Sequence, residues 1–217
     1  MYMKMKNLII IIFFIASAIS AQKIGKLAPE PQPIIFPPNA WGVDLMISEA
    51  GFGLGTFLRK SFSQELTGFV DVSFSEAKDD REVEYVNYYG QTFSVGKVNR
   101  VFLLPVYAGI QQRLFSKSIT DNLRPYINIA AGPTTILTTP YDKEFFSAFG
   151  DAVTKIGIGG YIGFGANFGI SQSNLVGINL RYYYIQLLDG SEIQTLRGKF
   201  KDHFNSVYIT INIGMMY

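Results

Sequence analysis

The sequence has no cysteine and only one histidine among its 217 residues. Disulfides are therefore excluded, and so is a lipid anchor attached to a cysteine at the end of a leader. Thiolate metal sites are excluded as well, and a single histidine gives little support to sites built on imidazole. We expect no cofactor and no resident metal.

Charged residues are also scarce, at 17% of the chain, against roughly 25% in average soluble domains. The net charge is only +2 and no basic cluster occurs, which argues against a nucleic-acid partner. Hydrophobic residues make up 48% and aromatic residues 15%. Nevertheless, no apolar run after the N-terminus reaches the roughly 20 residues of a membrane-spanning helix. This combination is typical of a transmembrane β-barrel.

The N-terminus has the pattern of a secretory signal peptide, predicted at residues 1–21. Two lysines precede an apolar stretch at 8–15, which is too short to span a bilayer. Small residues allow cleavage after Ala18 or Ala21, and the cut after Ala21 is favoured. An uncleaved anchor helix is the alternative.

Residues 22–40 are predicted to form a proline-rich periplasmic segment before the barrel at 41–217. Proline lacks a backbone donor and interrupts regular structure, which favours either a spacer or a tether to a partner. The prolines of this segment are Pro29, Pro31, Pro33, Pro37 and Pro38.

The last ten residues, 208–217, carry apolar side chains at odd positions and mostly polar or small ones at even positions. Strict alternation predicts a strand with one apolar and one polar face. A soluble sandwich edge strand could show the same alternation. The segment also resembles the C-terminal sorting signal of bacterial outer-membrane barrels, with Gly214, Met215 and Tyr217 in the matching places.

Seven further segments alternate in the same way. After a tight first hairpin at 48–51, the connections between segments are alternately short and long. Membrane barrels have short periplasmic turns and long extracellular loops, so an eight-stranded antiparallel up-and-down transmembrane β-barrel is predicted, an all-β fold. The weak point is 41–62, which could be one long bulged strand. The predicted strands are 41–48, 51–62, 66–76, 98–115, 123–137, 154–170, 175–188 and 203–217.

The predicted inward faces carry six charged side chains. Charges in a narrow lumen must be paired or hydrated, so we expect an ion-pair and hydrogen-bond network there. A polar plug that holds the barrel together is one interpretation, and a selectivity lining is the other. The predicted network residues are Asp44, Arg59, Asp71, Arg113, Lys155 and Arg181.

Aromatic residues near predicted strand ends fit either an interfacial girdle or a packed aromatic core. They are Trp41, Tyr126, Tyr182, Tyr183, Tyr184, Tyr208 and Tyr217.

Two other features of the sequence are candidate functional sites. His203 and Ser206 could form a hydrolytic pair, but residues three apart on a strand face opposite sides, which favours a solvated loop histidine. Residues 141–153 carry apolar positions at helical spacing, which predicts a short amphipathic helix either on the membrane interface or over the barrel mouth.

The segments Leu104-Pro105-Val106-Tyr107-Ala108-Gly109 and Leu123-Arg124-Pro125-Tyr126, followed by Ala131-Gly132, resemble a central hairpin of the small outer-membrane β-barrel family that includes OmpA, OmpX and OmpW. The resemblance covers roughly 41–217 and implies location in a bacterial outer membrane. Unlike OmpA-type proteins, this sequence has no peptidoglycan-binding domain after its last strand.

The expected function is non-enzymatic: envelope integrity, with surface loops available to an unknown ligand. Outer-membrane lipid, lipopolysaccharide and the barrel-assembly machinery are the expected partners. A narrow porin-like channel and, less favoured, a lipid A-modifying acyl hydrolase or transferase are the alternatives. A soluble lipocalin-like barrel, with its apolar face inside, is the alternative fold.

Overall fold

Alternation of side chains determines which face each strand presents, because successive residues of extended backbone point to opposite sides of a sheet. The computed structural model describes residues 36–90, 92–119, 122–168, 173–188 and 190–217. The predicted signal peptide at 1–21 and most of the proline-rich segment at 22–40 lie outside the described residues.

Eight antiparallel strands form one closed barrel, and the first of them pairs with the last. The predicted eight-stranded up-and-down barrel is confirmed. Four shorter strands form two separate hairpins within long connections. In chain order the strands are β1 (Asn39–Ser48), β2 (Gly51–Ser61), β3 (Leu66–Ala77), β4 (Glu84–Val86), β5 (Thr92–Ser94), β6 (Asn99–Arg113), β7 (Leu123–Pro140), β8 (Val153–Phe168), β9 (Asn174–Leu187), β10 (Ile193–Leu196), β11 (Lys199–Lys201) and β12 (His203–Met216).

A tight hairpin connects β1 to β2, so the alternative of one long bulged strand is wrong. Ser48 pairs with Gly51, and the backbone N–H of Ala50 donates to the Ser48 hydroxyl at 3.1 Å. Gly51 has a φ of 131°, which a side chain would disfavour. β1 begins at Asn39 rather than at 41.

The outer wall of the barrel is apolar. On β1 the residues that face outward are 39–49% exposed, whereas the inward residues Asp44 and Met46 are buried. The same alternation continues around the barrel. A soluble barrel would place its apolar face inside, which is the reverse of this arrangement. The outward residues of β1 are Trp41, Val43, Leu45 and Ile47.

The two ends of the barrel differ in their connections. At one end, here called the turn end, short connections join β2 to β3 and β6 to β7. At the other, the loop end, the long connections carry the hairpins β4–β5 and β10–β11 and a short helix, α1 (Phe145–Ala148), followed by a 3-10 turn. Across the described part of the chain, no helix is both long and apolar enough to cross a membrane.

Candidate functional site

A buried ion-pair triad occupies the centre of the lumen and is here called the central triad: Asp44 on β1, Asp71 on β3 and Arg181 on β9. One guanidinium nitrogen of Arg181 lies 2.9 Å from Asp44 Oδ2 and 3.5 Å from Asp71 Oδ2. The side chains of Arg181 and Asp44 are only 1% and 2% exposed. Asn212 and Tyr161 donate further hydrogen bonds to Asp44 and Asp71, respectively. These contacts link five strands across the barrel, and removing one partner would leave a buried charge uncompensated, which is costly.

The other three residues of the predicted network do not join the central triad. Arg59 is buried but bonds to the amide oxygen of Asn167 at 3.4 Å. Arg113, at the turn end, donates to the carbonyl oxygen of Ile119 at 2.9 Å. Lys155 lies at the loop end, where it donates to the carbonyl oxygen of Glu192. The six predicted residues are therefore spread along the lumen, and three of them meet.

A layer of tyrosines fills the lumen beside the central triad. The rings of Tyr161 and Tyr183 lie 4.8 Å apart, and Tyr183 in turn contacts Tyr208 at 5.1 Å. Tyr107 stacks on Tyr183 and shares a hydrogen bond of 2.8 Å with Thr134. Of the residues considered for an interfacial girdle, Tyr183, Tyr208 and Tyr126 are buried inside, so the aromatic-core interpretation is correct for them. Trp41, Tyr182, Tyr184 and Tyr217 are exposed on the outside.

Glycines on β8 make room for these large inward side chains. A Cβ at Gly163 would collide with the side-chain oxygens of Asn128 and Asn179, and one at Gly165 would lie 2.9 Å from the Tyr126 hydroxyl. Gly163 pairs with Arg181 across the sheet. The glycine-rich pattern of β8 thus permits the lumen to be filled from the opposite wall.

Above the tyrosine layer, toward the loop end, the lumen is apolar. This apolar plug was not predicted, because the expected lumen network included only charged inward positions. The sequence contained an indication of the plug, because two apolar residues of β6, Val101 and Leu103, alternate with the outward residues of that strand. The plug consists of Ala77, Val101, Leu103, Ile136, Ile185, Leu187, Ile193 and Phe204. Ile193 belongs to β10, so a hairpin of the loop end takes part in closing the lumen.

Paired charges tie the loops together at the loop end. Lys97 lies 2.9 Å from the carboxylate of Glu82, and Lys201 lies 3.0 Å from that of Asp80. Asp79 accepts hydrogen bonds from Arg81 and from Thr195 of β10. The Arg81 guanidinium holds the pKa of Asp79 well below its ordinary value. The loop between β3 and β6 is thereby joined to β10–β11.

The turn end is built differently, around a cavity of about 240 Å³ here called the arginine cavity. Arg59, Arg113 and Arg124 line it, together with the aromatic ring of Phe36 and the side chain of Met216. In the sequence, Arg124 stands out only as part of a family motif.

The helix α1 packs on the outer wall and does not cap the lumen. Phe145 of α1 and Phe149 of the 3-10 turn contact the ring of Phe102. The Phe102 ring in turn stacks on the outward residue Phe74. Phe146 remains 78% exposed. This position agrees with the interface alternative for 141–153 rather than with the mouth cap.

The geometry separates His203 from Ser206. His203 stacks on Tyr184 at 5.7 Å, and its Nδ1 lies 2.7 Å from Asp202, whose pKa is lowered by this hydrogen bond. Ser206 is buried on the inward face of the same strand. No group of three or more potential metal-ligating residues is found within the described ranges.

The predicted sorting residues Gly214, Met215 and Tyr217 lie at the turn end of β12. Gly214 pairs with Gly42, and the backbone groups of Tyr217 and Asn39 exchange hydrogen bonds. These contacts describe the barrel seam, and the sorting role stays a prediction.

No family model and no curated protein matches this chain. Three solved structures with which it can be compared are the N-terminal β-barrel domain of Pseudomonas aeruginosa OprF, Neisserial surface protein A, and Ail, the attachment invasion locus protein of Yersinia pestis. Identities are 10%, 12% and 12%, and TM-scores 0.45, 0.47 and 0.42. The matches cover 82%, 82% and 84% of this chain and 97%, 95% and 100% of the other chains. Likeness at this level transfers no activity.

Proposed function

We propose that this chain is a bacterial outer-membrane protein that supports envelope integrity and offers its loop end for contact with other surfaces, without catalysing a reaction. The combination of an apolar outer wall with a filled lumen carries this proposal. The wall needs lipid around it, because burying a large apolar side chain is worth about 1.5–3 kcal/mol relative to leaving it in water. The filled lumen favours a structural role over transport.

The proposed orientation follows from the connections. Outer-membrane barrels have short turns on the periplasmic side and long loops outside, which puts the loop end at the cell surface beside lipopolysaccharide. Gly214, Met215 and Tyr217 then lie on the periplasmic side, where the barrel-assembly machinery would read them as a sorting signal.

Exposed aromatic residues on the β4–β5 hairpin support contact with a surface ligand. Tyr88 is 99% exposed, and the neighbouring Tyr89 and Val86 are also largely exposed. Tyrosine is enriched where proteins meet other proteins, because its ring adds contact area and its hydroxyl bonds to polar groups. The charge pairs described above hold the base of this loop.

Conductance in a planar bilayer tests the filled lumen. The protein is refolded in detergent, its folding is verified by heat-dependent migration in gels, and its insertion by protection of the strands from protease. We expect no discrete current steps. Reproducible steps would overturn the proposal in favour of a narrow channel.

One observation favours a narrow channel as the second candidate function. The side-chain oxygen of Asn128, the amide group of Asn179 and the hydroxyl of Thr210 are buried and have no hydrogen-bond partner among the described residues. Such groups normally bind water. A hydrated lane through these residues is the route that ions would take.

A further inference from the structure

Three arginine side chains line one cavity at the turn end and form no ion pair with an acid of the described residues. Arg59, Arg113 and Arg124 line the arginine cavity of about 240 Å³. Within the described part of the chain, none of the three forms an ion pair with a carboxylate, whereas charged loop residues such as Lys97 and Lys201 do. A concentration of unpaired positive charge is unfavourable unless an anion is present to balance it.

The contacts of Arg113 and Arg124 leave part of the hydrogen-bonding capacity of each guanidinium group unused. The guanidinium of Arg124 stacks on the ring of Phe36 at 3.7 Å and lies 3.7 Å from the sulfur of Met216. Both positions orient the group without neutralising it. The Nε atoms of Arg124 and Arg113 are buried and have no hydrogen-bond partner among the described residues.

An exposed acid at the turn end does not cancel this charge. Glu65 attracts Arg113, but one of its carboxylate oxygens accepts a hydrogen bond of 2.6 Å from Ser116, and the residue is exposed. Arg124 is repelled by both Arg59 and Arg113. The fold therefore holds Arg124 close enough to Arg59 and to Arg113 for both to repel it, and this repulsion does not stabilise the protein.

We propose that the arginine cavity is a binding site for a phosphate group. The planar guanidinium fork matches the oxygens of a phosphate, and several arginines around one cavity are the usual protein solution for recognising such an oxyanion. The phosphate is either a free ion or the headgroup of a phospholipid in the adjacent leaflet. An anion in the cavity would accept hydrogen bonds from the arginine side chains that line it and would balance their positive charge.

Titration in a nonionic detergent tests the site, with inorganic phosphate and micellar phosphatidylglycerol as separate probes. Phosphorus NMR follows either probe directly, and calorimetry gives its affinity. We expect Arg124→Gln and Arg113→Gln each to weaken binding about tenfold or more, since a hydrogen bond to a charged group is typically worth 1.5–3 kcal/mol. Arg124→Lys, which keeps the charge but loses the fork, should fall between.

Arg197→Gln is the matched control, because it removes the same charge from an exposed position at the loop end. It should bind like the original protein, and heat-dependent migration verifies that every variant is folded. Binding of phosphate alone identifies a soluble ligand, and binding of phosphatidylglycerol alone identifies a lipid headgroup; either supports the site. Absence of binding by both probes in the unsubstituted protein, or equal weakening by Arg197→Gln and Arg124→Gln, overturns the proposal.

Discussion

The two ends of the lumen differ in whether their charged side chains form ion pairs. At the loop end, cations sit beside acids: Lys97 beside Glu82, and Lys201 beside Asp80. At the turn end, the arginine cavity collects three cations, none of which forms an ion pair with a described acid. The central triad lies between the two and is itself paired. Paired charges at one end join the loops, whereas unpaired charges at the other end are available to an anion.

This contrast separates charges that stabilise the fold from charges that the fold tolerates. Breaking a pair should cost stability, because a partner is left buried and alone. Removing one of several like charges should cost little. Four measurements test this distinction, beginning with the largest expected effect.

Arg181→Met should destabilise the protein most, by about 3–5 kcal/mol, since it leaves Asp44 and Asp71 buried without their cation. The measurement is the free energy of unfolding in urea, in detergent. The triple variant Asp44→Asn, Asp71→Asn, Arg181→Met should recover much of the loss, because its buried groups are neutral. An unchanged free energy of unfolding in the single variant would show that the paired charges of the central triad do not stabilise the fold.

Gly163→Ala should cost about 1–3 kcal/mol, as overpacking typically does, because the added methyl group meets the side chains of Asn128 and Asn179. The same unfolding measurement applies. Gly150→Ala is the control, since no atom lies within 4 Å of the added group there. Equal stability of both variants would contradict the close packing of the lumen.

Acid should loosen the loop end through Asp79. The pKa of this carboxyl is lowered in the folded protein, so its stabilising contribution is present above the ordinary value of about 4 and is lost as pH falls toward the lowered one. Hydrogen exchange of the β4–β5 and β10–β11 segments, measured between pH 5 and pH 2, should show this loss.

Asp79→Asn provides the reference for that experiment. At pH 5 its segments should open more easily than in the original protein by about 1 kcal/mol, a modest value because Arg81 is partly exposed. The difference between the two proteins should shrink as pH falls. A constant difference would assign the loosening to other acids.

Arg124→Gln should change the free energy of unfolding by no more than about 1 kcal/mol when no phosphate is added. The lost cation–π contact with Phe36 is worth about that much, and relief of repulsion from the other arginines offsets it. A loss comparable to that of Arg181→Met would make Arg124 a structural residue and remove the contrast between the ends.

Alternating residues were sufficient to predict the eight strands, since one apolar face per strand determines both its span and its orientation. The same alternation placed Asp44, Asp71 and Arg181 inside, where they meet. Alternation gives the face of a residue and not its height in the barrel, so it grouped Arg113 and Lys155 with the central residues. The positions of these two residues beside a short and a long connection already indicate opposite ends.

The loop hairpins and the arginine cavity could not be predicted from the sequence, for related reasons. The strands β4, β5, β10 and β11 have only three or four residues each, which is too short for a periodic signal. Arg124 and Arg59 come from strands that are not neighbours, so their convergence depends on closure of the barrel.

The seam between β1 and β12 has a kinetic consequence. Asn39 and Tyr217 exchange two backbone hydrogen bonds at the turn end, so the contact that completes the barrel joins residues from nearly opposite ends of the described chain. Contacts between residues so far apart in sequence form slowly, because the chain loses conformational entropy before these contacts stabilise it. Until they form, both terminal strands present open edges, which are sites for aggregation. The chain therefore depends on its last strand to end the most vulnerable stage of its folding.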